Sequence, residues 1–285
     1  MYNILNVKTL TRNTYRRLFY FGLSICVAFS MCLFLPQPTL GISLFDIIQQ
    51  GSQIIQLSNI SEQQEIQLGQ QINQEILSEM KILNSPLINA YVNQIGQRLA
   101  RNSDRPNLPF IFQVVDNDAI NAFATAGGFV YIHTGLLKTA ANEAELASVI
   151  GHEIGHITGR HVLKQMRQMA IAKGITSLVG ADKNQLVGIG VELGFRRPRS
   201  RNDELDADKR GLKNMKTAGY AQSAMISFMQ KLMSGSSSSQ PSILSTHPAT
   251  KDRIAALQKN IDPQYLNVKD GLNSNSYKLQ IRSLL

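Results

Sequence analysis

Residues 142–156 read NEAELASVIGHEIGH and carry the strongest structural signal in the 285-residue chain. Asn142 is a favourable N-cap residue, and the glutamate three positions later completes a typical helix start. Apolar residues then recur at the spacing of one helix face, at Leu146, Val149, Ile150, Ile154 and Ile157. The stretch therefore predicts a helix with a buried apolar face.

Two histidines on this predicted helix, His152 and His156, are four residues apart. Side chains at positions i and i+4 lie on one helix face about one turn apart, so both imidazoles can converge on a single metal ion. Glu153 completes the H-E-x-x-H pattern of zinc-dependent peptidases, in which the glutamate is the general base. The alternative, a pair of surface histidines, is disfavoured because the rest of the helix is apolar.

A catalytic zinc site needs a third protein ligand. The longer motif H-E-x-x-H-x-x-G-x-x-H is excluded, because Val162 stands where its last histidine belongs and His161 is one residue too early. Thiolate ligands are also excluded, because Cys26 and Cys32 both lie in an apolar segment near the N-terminus. The third ligand is therefore expected to be a carboxylate.

An acidic cluster on a later predicted helix supplies that carboxylate. Glu204 and Asp208 are again four residues apart, so one can bind the metal while the other accepts a hydrogen bond from the second ring nitrogen of a ligand histidine. A solvated helix start, stabilised by the helix dipole, is the alternative for such a cluster. The upstream H-E-x-x-H pattern favours the metal site.

The N-terminal region has the layout of an export signal. Residues 18–35 carry no charge, follow Arg16 and Arg17, and precede Pro36. A stretch of this length also just suffices for an uncleaved membrane anchor, and both alternatives remain open for residues 1–41. The sequence therefore predicts an exported protein in the periplasm or an equivalent extracytoplasmic space, with membrane association through this segment if it is retained.

The net charge of +9 gives little information about partners. Four of the basic residues precede the apolar segment, and the remaining excess is modest. The sequence contains no motif that reads nucleic acid, so we predict a generally basic surface and no nucleic-acid partner.

Short periodic segments flank the H-E-x-x-H helix. Ser61 and Gln64 form a capping box ahead of a helix that Pro86 is expected to stop, and a second helix is predicted for residues 87–100. Residues 110–115 and 129–133 are rich in β-forming side chains and predict two strands. The body therefore combines a small sheet with several helices.

In this order, the motifs resemble those of the gluzincin metallopeptidases of the HtpX, CAAX prenyl protease and BepA/LoiP type. The matching positions, over residues 60–260, are Glu65-x-x-x-Gly69, Tyr91-x-x-x-x-Gly96-x-x-Leu99, Asn121-Ala122-Phe123, Gly127-Gly128-Phe129-Val130-Tyr131, Thr134-Gly135-Leu136-Leu137, Glu143-Ala144-Glu145-Leu146-Ala147, H-E-x-x-H, Arg160-His161, Ser200-Arg201-x-x-Glu204-x-x-Ala207-Asp208 and His247-Pro248. The resemblance implies a mainly helical α+β fold with a small mixed β-sheet beside the H-E-x-x-H helix.

The resemblance also implies a set of functional residues. One zinc ion per chain would be held by His152, His156 and Glu204, with Glu153 as general base and Asp208 orienting a ligand histidine. His247 would lie near the metal, either stabilising the oxyanion or occupying the open coordination position in a resting enzyme. A histidine that only caps a helix over residues 249–257 is the alternative.

An edge strand of the sheet is implied to pair with extended substrate. The residues implied to line this cleft are Asn121, Ala122, Phe123, Gly127 and Gly128. Residues 124–126 depart from the Leu-Pro that relatives often carry before the glycine pair, and the departure predicts a looser loop.

The remaining segments give weaker predictions. His133 and His161 are expected at a strand end and on a helix surface, and residues 162–199 are expected to form a soluble hairpin over the active site. The basic run 196–199 predicts a solvated loop rather than a lipid contact. The predicted divisions are 1–41 for the signal or anchor, 42–57 for a linker, 58–260 for the catalytic domain, which contains a Ser-rich linker at 235–241, and 261–285 for a C-terminal tail.

Two classes of function remain open from the sequence. The first is an exported zinc endopeptidase that hydrolyses unfolded or misassembled envelope proteins. The second is a chaperone-like assembly factor with a latent or mainly structural zinc site. The complete set of Glu153 and three ligands favours the first.

Overall fold

The mainly helical α+β prediction is confirmed by the computed structural model, which describes residues 60–172, 183–234, 241–248, 251–266 and 270–285. The predicted leader, its two cysteines and the linker 42–57 lie outside the described residues, as do parts of the predicted hairpin and nearly all of the Ser-rich linker. The helices are α1 Glu62–Glu79, α2 Pro86–Ala100, α3 Thr134–Thr139, α4 Glu143–Thr158, α5 His161–Ala172, α6 Lys183–Phe195, α7 Arg201–Ala218, α8 Ser223–Ser234, α9 Ile243–Thr246, α10 Lys251–Asn260 and α11 Ser274–Gln280. The strands are β1 Ile111–Val115, β2 Ala122–Ala124 and β3 Phe129–His133.

The predicted helix starts are confirmed at both capping sites. The Ser61 hydroxyl accepts a hydrogen bond from the Gln64 backbone N–H at 3.2 Å, and the Gln64 side chain accepts one from the Ser61 N–H at 2.9 Å. The Asn142 side chain accepts from the Glu145 N–H at 3.0 Å. These bonds satisfy backbone donors that have no partner within the helix, so they fix where α1 and α4 begin.

Helix α1 ends earlier than Pro86 predicts. The chain after Glu79 turns extended and runs along β1, where the Leu83 N–H donates to the Val114 carbonyl at 2.8 Å. Ile82 forms a single antiparallel bridge with Val115. The hydrogen bonds of this pairing with β1 replace those that another helical turn would make. The pairing joins residues far apart in the sequence, so a local sequence pattern does not predict it.

The three strands form a mixed sheet in the order β1-β3-β2. β1 runs parallel to β3, with Ile111 opposite Phe129, whereas β2 runs antiparallel to β3, with Phe123 opposite Tyr131. β2 therefore lies at an edge of the sheet. Its three residues are too few to show a periodic pattern, so its extent was not predicted from the residues themselves.

Helix α4 lies in the centre of the larger apolar core and packs most extensively on α7. The two helices approach closely at Gly155, where an added Cβ would lie 2.6 Å from the Ala207 carbonyl oxygen. Only glycine fits this crossing without displacing backbone. The close approach brings the H-E-x-x-H residues against the acidic start of α7.

A second apolar cluster covers the other face of the sheet and includes residues of α1, α5 and α6. Helix α6 packs on α1, α5 and β2. The segment predicted as a C-terminal tail also contacts the body, since Tyr277 and Ile281 are both buried in the larger core. Within the described ranges, no helix has the length and apolar character that crossing a membrane requires.

Candidate metal centre

Four buried side chains from three parts of the chain meet at one point. Helix α4 presents His152 and His156, α7 presents Glu204, and His247 follows α9 directly. One nitrogen or oxygen atom of each lies within 4.8 Å of the others. The structure therefore brings together the three predicted ligands and the histidine that was expected near the metal.

The distances among these atoms fit a tetrahedral metal site. The Nε2 atoms of His152 and His156 are 3.1 Å apart. The Glu204 carboxylate lies 3.2 Å from His156 Nε2 and 3.5 Å from His152 Nε2. Donor atoms about 2.05 Å from a central zinc would be about 3.3 Å apart at the corners of a tetrahedron. The spacing and the mixed nitrogen and oxygen donors both suit such a metal.

His247 lies at the remaining corner of this arrangement. Its Nδ1 atom is 3.3 Å from His152 Nε2 and 3.0 Å from Glu204 Oε1. Its Nε2 atom faces Glu153, 3.6 Å from the nearer carboxylate oxygen. His247 therefore contacts both the ligand set and the predicted general base. The alternative, that His247 only caps the following helix, lies outside the described residues, because residues 249 and 250 are not among them.

Glu153 is fully buried, and neither of its carboxylate oxygens has a hydrogen-bond partner among the described residues. Burying a carboxylate without donors is costly, so such groups are normally paired with donors or cations. A metal with its water at the adjacent donor cluster would satisfy the carboxylate. The orphaned Glu153 oxygens therefore fit a metal site of the peptidase type.

Asp208 contacts His152, one of the predicted ligands, as the spacing of the acidic cluster predicts. Its Oδ1 atom lies 2.9 Å from His152 Nδ1. Arg253, a buried residue of α10, donates to both Asp208 oxygens at 2.7 Å and lies 2.6 Å from Glu204 Oε2. Sequence reasoning missed Arg253, because a single arginine on a polar helix carries no spacing signal.

His161 is not on a helix surface, and that prediction is wrong. The side chain is buried at the start of α5, and its Nδ1 atom lies 2.9 Å from Nδ1 of His156. On the other side of the ring, His161 Nε2 lies 3.1 Å from Asp206 Oδ2. A sharp turn after α4 folds α5 back beside the ligand histidines. His133, by contrast, lies at the end of β3 as predicted.

Burial and paired charges set the protonation of the site. Burial lowers the pKa of His156 well below 6.5, and it also lowers the pKa of His161. Burial opposes charging of His152 too, but Glu204 and Asp208 outweigh it and raise the pKa of His152 to about 9. Burial opposes ionisation of Asp208, yet its hydrogen bonds from Arg253 and His152 lower its pKa. Asp208 is therefore ionised at neutral pH.

The edge strand β2 lies beside α4 and α6, and all three of its residues are fully buried, so its outer edge is covered in this structure. Asn121 and Thr125 form the hydrogen-bonded pairs with β3, so Ala122 and Ala124 turn their backbone groups away from the sheet. The Ala124 carbonyl accepts a hydrogen bond from Arg199 at 3.2 Å. The Phe123 ring turns inward and stacks on Tyr131, with centroids 4.6 Å apart.

Arg199 also contradicts the prediction of a solvated basic loop. Arg196 and Arg197 are exposed and pair with Glu79 and Glu192, but Arg199 is buried. Its guanidinium donates to Gln165 at 2.9 Å as well as to Ala124, and its backbone N–H donates to the Thr246 carbonyl at 2.9 Å. Pro198 separates the exposed arginines from the buried one.

The loop before β3 is tightly packed, so the predicted looseness is also wrong. Thr125 and Ala126 are buried, and Gly127 and Gly128 have positive φ angles of 77° and 100°. A Cβ at Gly128 would lie 2.7 Å from the Pro109 carbonyl oxygen. Small side chains at 124–126 let α1 lie directly on this loop, which fixes its conformation without the proline of relatives.

A buried H-E-x-x-H helix packed against a later helix that supplies a glutamate donor is the architecture of a metallopeptidase. The match to known proteins agrees, because residues 86–261 match peptidase family M48. The chain belongs to this family. The predicted resemblance is thereby confirmed.

Three relatives illustrate the similarity. The beta-barrel assembly-enhancing protease of Escherichia coli (strain K12) is 33% identical over 213 residues, which are 70% of this chain and 44% of that protein. The mitochondrial metalloendopeptidase OMA1 of Arabidopsis thaliana is 34% identical over 159 residues, covering 54% and 32% of the two chains. The metalloendopeptidase OMA1 of Bos taurus is 30% identical over 192 residues, covering 60% and 36%. The chain thus spans less than half the length of these relatives.

Proposed function

We propose that this protein is a zinc-dependent endopeptidase with one zinc ion per chain, held by His152, His156 and Glu204. The observation that carries the proposal is Glu153, whose buried carboxylate faces the donor cluster without a hydrogen-bond donor of its own. A carboxylate in that position is suited to taking a proton from an attacking water molecule.

The chemistry follows from the positions of the side chains. When bound, zinc supplies a Lewis acid that lowers the pKa of water and polarises the scissile carbonyl. Glu153 accepts the proton of the attacking water and then donates it to the nitrogen of the leaving amine. Asp208 holds the His152 ring through Nδ1, so that Nε2 faces the other donors.

His247 closes the site in this proposal. Its Nδ1 atom lies 3.3 Å from His152 Nε2 and 3.0 Å from Glu204 Oε1, where it would compete with a water molecule or substrate oxygen for bound zinc. His247→Ala should therefore raise the rate of casein cleavage. The other role, stabilisation of the oxyanion, predicts a lower rate for the same variant. Initial rates at saturating substrate separate the two.

The substrate is an extended polypeptide with little sequence preference. Pairing of a substrate strand with the outward backbone groups of Ala122 and the N–H of Ala124 would not depend on side chains, but both residues are fully buried in this structure and must first be uncovered. Asn121 directly precedes this strand, Phe123 is its middle residue, and the turn with Gly127 and Gly128 follows it. Unfolded or misassembled proteins present chain in this form.

A small apolar cavity of about 50 Å³ next to the donor cluster suits an apolar substrate side chain. Its lining combines the polar site residues with apolar residues of α8 and α9: His152, Asp208, His247 and Arg253, and Met225, Phe228, Met229 and Ile243 among the apolar ones. Burial of an apolar side chain there would favour cleavage next to such residues.

We further propose that the protein acts outside the cytoplasm on envelope proteins. Two observations support this placement: the apolar, uncharged stretch 18–35 after two arginines, and the similarity to a relative named for beta-barrel assembly. Residues 18–35 either are cleaved or anchor the protein to the membrane. The chaperone-like alternative is not favoured, because a purely structural metal site has no use for a buried Glu153 that accepts no hydrogen bond from the described residues.

Zinc content and proteolysis together test the proposal. Wild-type protein should hold about one zinc ion, cleave unfolded casein, lose the activity on treatment with a chelator and regain it when zinc is added back. Glu204→Gln should lose most of the zinc and the activity.

Glu192→Gln is the matched control, since Glu192 makes only a surface ion pair with Arg197. It should leave both zinc content and activity unchanged. Wild-type protein that holds no zinc, or that cleaves casein equally well after the metal is removed, would contradict the proposal.

A further inference from the structure

The two ligand histidines of α4 have different outer partners. His152 Nδ1 lies 2.9 Å from the Asp208 carboxylate, the usual partner for a metal-binding imidazole. His156 Nδ1 hydrogen-bonds to no carboxylate of the described residues and lies 2.9 Å from Nδ1 of His161. His156 is connected to a carboxylate only through the ring of His161, whose Nε2 atom lies 3.1 Å from Asp206 Oδ2.

The positions of the protons in this series of hydrogen bonds follow from the groups at its two ends, the metal donor His156 Nε2 and the Asp206 carboxylate. Nε2 of His156 faces His152 and Glu204, so the lone pair for a metal lies on Nε2 and the proton on Nδ1. The Nδ1–H of His156 then donates to Nδ1 of His161, because that nitrogen must accept. The Nε2–H of His161 donates to Asp206. Each donor meets one acceptor, and only this arrangement of tautomers satisfies all three residues.

We infer that His161 is a positioning residue for the metal site: it accepts the hydrogen bond of His156 Nδ1–H, and Asp206 in turn orients His161. The inference rests on the proposed function, because it requires that His156 binds the metal. His161 itself is not a ligand, since its Nδ1 atom faces His156 and its Nε2 atom faces Asp206.

The backbone at the corner between α4 and α5 is built to place this ring. Arg160 has φ 53°, the only positive value of a non-glycine residue in the described ranges. This conformation is unfavourable for a residue with a side chain. It turns the chain by the right amount for His161 to point back at α4.

Two further features hold the corner in place. A Cβ at Gly159 would lie 2.4 Å from His161 Nε2, so the ring fits only over a glycine. The Arg160 side chain pairs with the buried Glu65 at 3.0 Å, and Glu65 also pairs with Arg105 at 2.9 Å. The start of a helix does not require a residue with positive φ, a buried ion pair or a covering imidazole. Their presence together indicates that this corner positions the His161 ring.

Zinc affinity of the full-length protein tests the inference, measured by competition with a chromophoric chelator. His161→Phe keeps the ring but leaves His156 Nδ1–H without an acceptor, and it should weaken zinc binding about 10- to 100-fold. His161→Asn can place its amide oxygen where Nδ1 stands, and it should stay within about fivefold of wild type. His133→Phe removes another buried histidine and should leave the affinity unchanged.

Asp206 gives a second test that does not depend on a core substitution, because its side chain is partly exposed. Asp206→Asn should weaken zinc binding by about three- to tenfold. Asp104→Asn is the matched control: Asp104 shares the partner Arg210 with Asp206 but does not contact a histidine. It should bind zinc as wild type does.

Thermal unfolding of the metal-free variants separates positioning from general damage. Equal zinc affinity of wild type and His161→Phe overturns the inference, and so does equal weakening by His161→Phe and His161→Asn. If His161→Phe does not fold, the test rests on the other pair of variants, and equal zinc affinities of Asp206→Asn and Asp104→Asn overturn the inference. Failure of wild-type protein to bind zinc instead removes the proposed function, and this inference with it.

Discussion

Arg253 illustrates how much the site depends on single buried charges. Its guanidinium is 5% exposed and spans Asp208 and Glu204. Arg253→Met would leave both carboxylates buried with one partner fewer, so the free energy of unfolding of the metal-free protein should fall by about 3–5 kcal/mol. Urea titration measures the change.

A surface pair provides the control for this prediction. Arg201 lies 2.7 Å from Asp252, but the two side chains are 67% and 64% exposed. Arg201→Met should change the free energy of unfolding by no more than about 0.5 kcal/mol, because solvent screens exposed pairs. Equal losses for the two variants would show that the buried pair is not what stabilises the site.

His133 predicts a specific dependence of stability on pH. Burial lowers its pKa to about 4 from the ordinary 6.5, and neither ring nitrogen has a hydrogen-bond partner among the described residues. Between pH 6.5 and 4 the unfolded chain binds a proton here that the folded chain does not. The free energy of unfolding therefore falls as the pH is lowered through this range, by about 2 kcal/mol from this residue.

His133→Phe removes the titrating group. Urea titrations of metal-free protein at pH 7 and pH 4.5 should show a smaller loss for the variant than for wild type. An identical loss for both proteins would mean that His133 is not neutral and buried in the folded state.

At the residue level, the sequence was informative where spacing carried information. His152, His156, Glu204 and Asp208 were identified from i, i+4 patterns and a family resemblance, and the structure brings them together. The contacts of Arg253 and His161 were not predicted. Each is a single polar residue whose partners lie on other helices, so no local pattern records them.

At the scale of secondary-structure elements, helix α1 depends on a close approach at Gly69. A Cβ at this position would lie 2.2 Å from the Ala126 carbonyl oxygen, which belongs to the turn before β3. Gly69→Ala must therefore displace backbone, and it should cost at least about 2 kcal/mol in the free energy of unfolding. Chemical denaturation measures the cost.

Gly188 in α6 offers the opposite case. A Cβ there meets nothing within 4 Å, so Gly188→Ala should stabilise the protein by about 0.5–1 kcal/mol through helix propensity alone. The two substitutions are chemically identical. If both change stability in the same direction and by the same amount, the packing of α1 on the turn is not as described.

Element boundaries could be predicted from local chemistry only in part. The starts of α1 and α4 follow from capping side chains, which act within a few residues of the chain. The early end of α1 and the extent of β2 depend on hydrogen bonds to β1 and β3 instead. Such pairings join residues far apart in sequence, and three-residue strands have no periodicity of their own.

At the scale of the whole molecule, the packing of α4 on α7 determines the function. This single helix pair joins the two histidines and the proposed general base to Glu204, which is about fifty positions further along the chain. Periodicity alone could not have indicated that these two helices meet. The family resemblance supplied that information, and the match of residues 86–261 to peptidase family M48 agrees with it.

The most direct test of the account compares wild type with Glu153→Gln in the full-length protein, measuring zinc content and casein cleavage in parallel. The substitution removes the base but none of the three metal donors. Both proteins should hold about one zinc ion, and the variant should cleave casein about 10²- to 10⁴-fold more slowly. A variant that holds zinc and cleaves at the wild-type rate would contradict the central claim that Glu153 is the general base of a metallopeptidase.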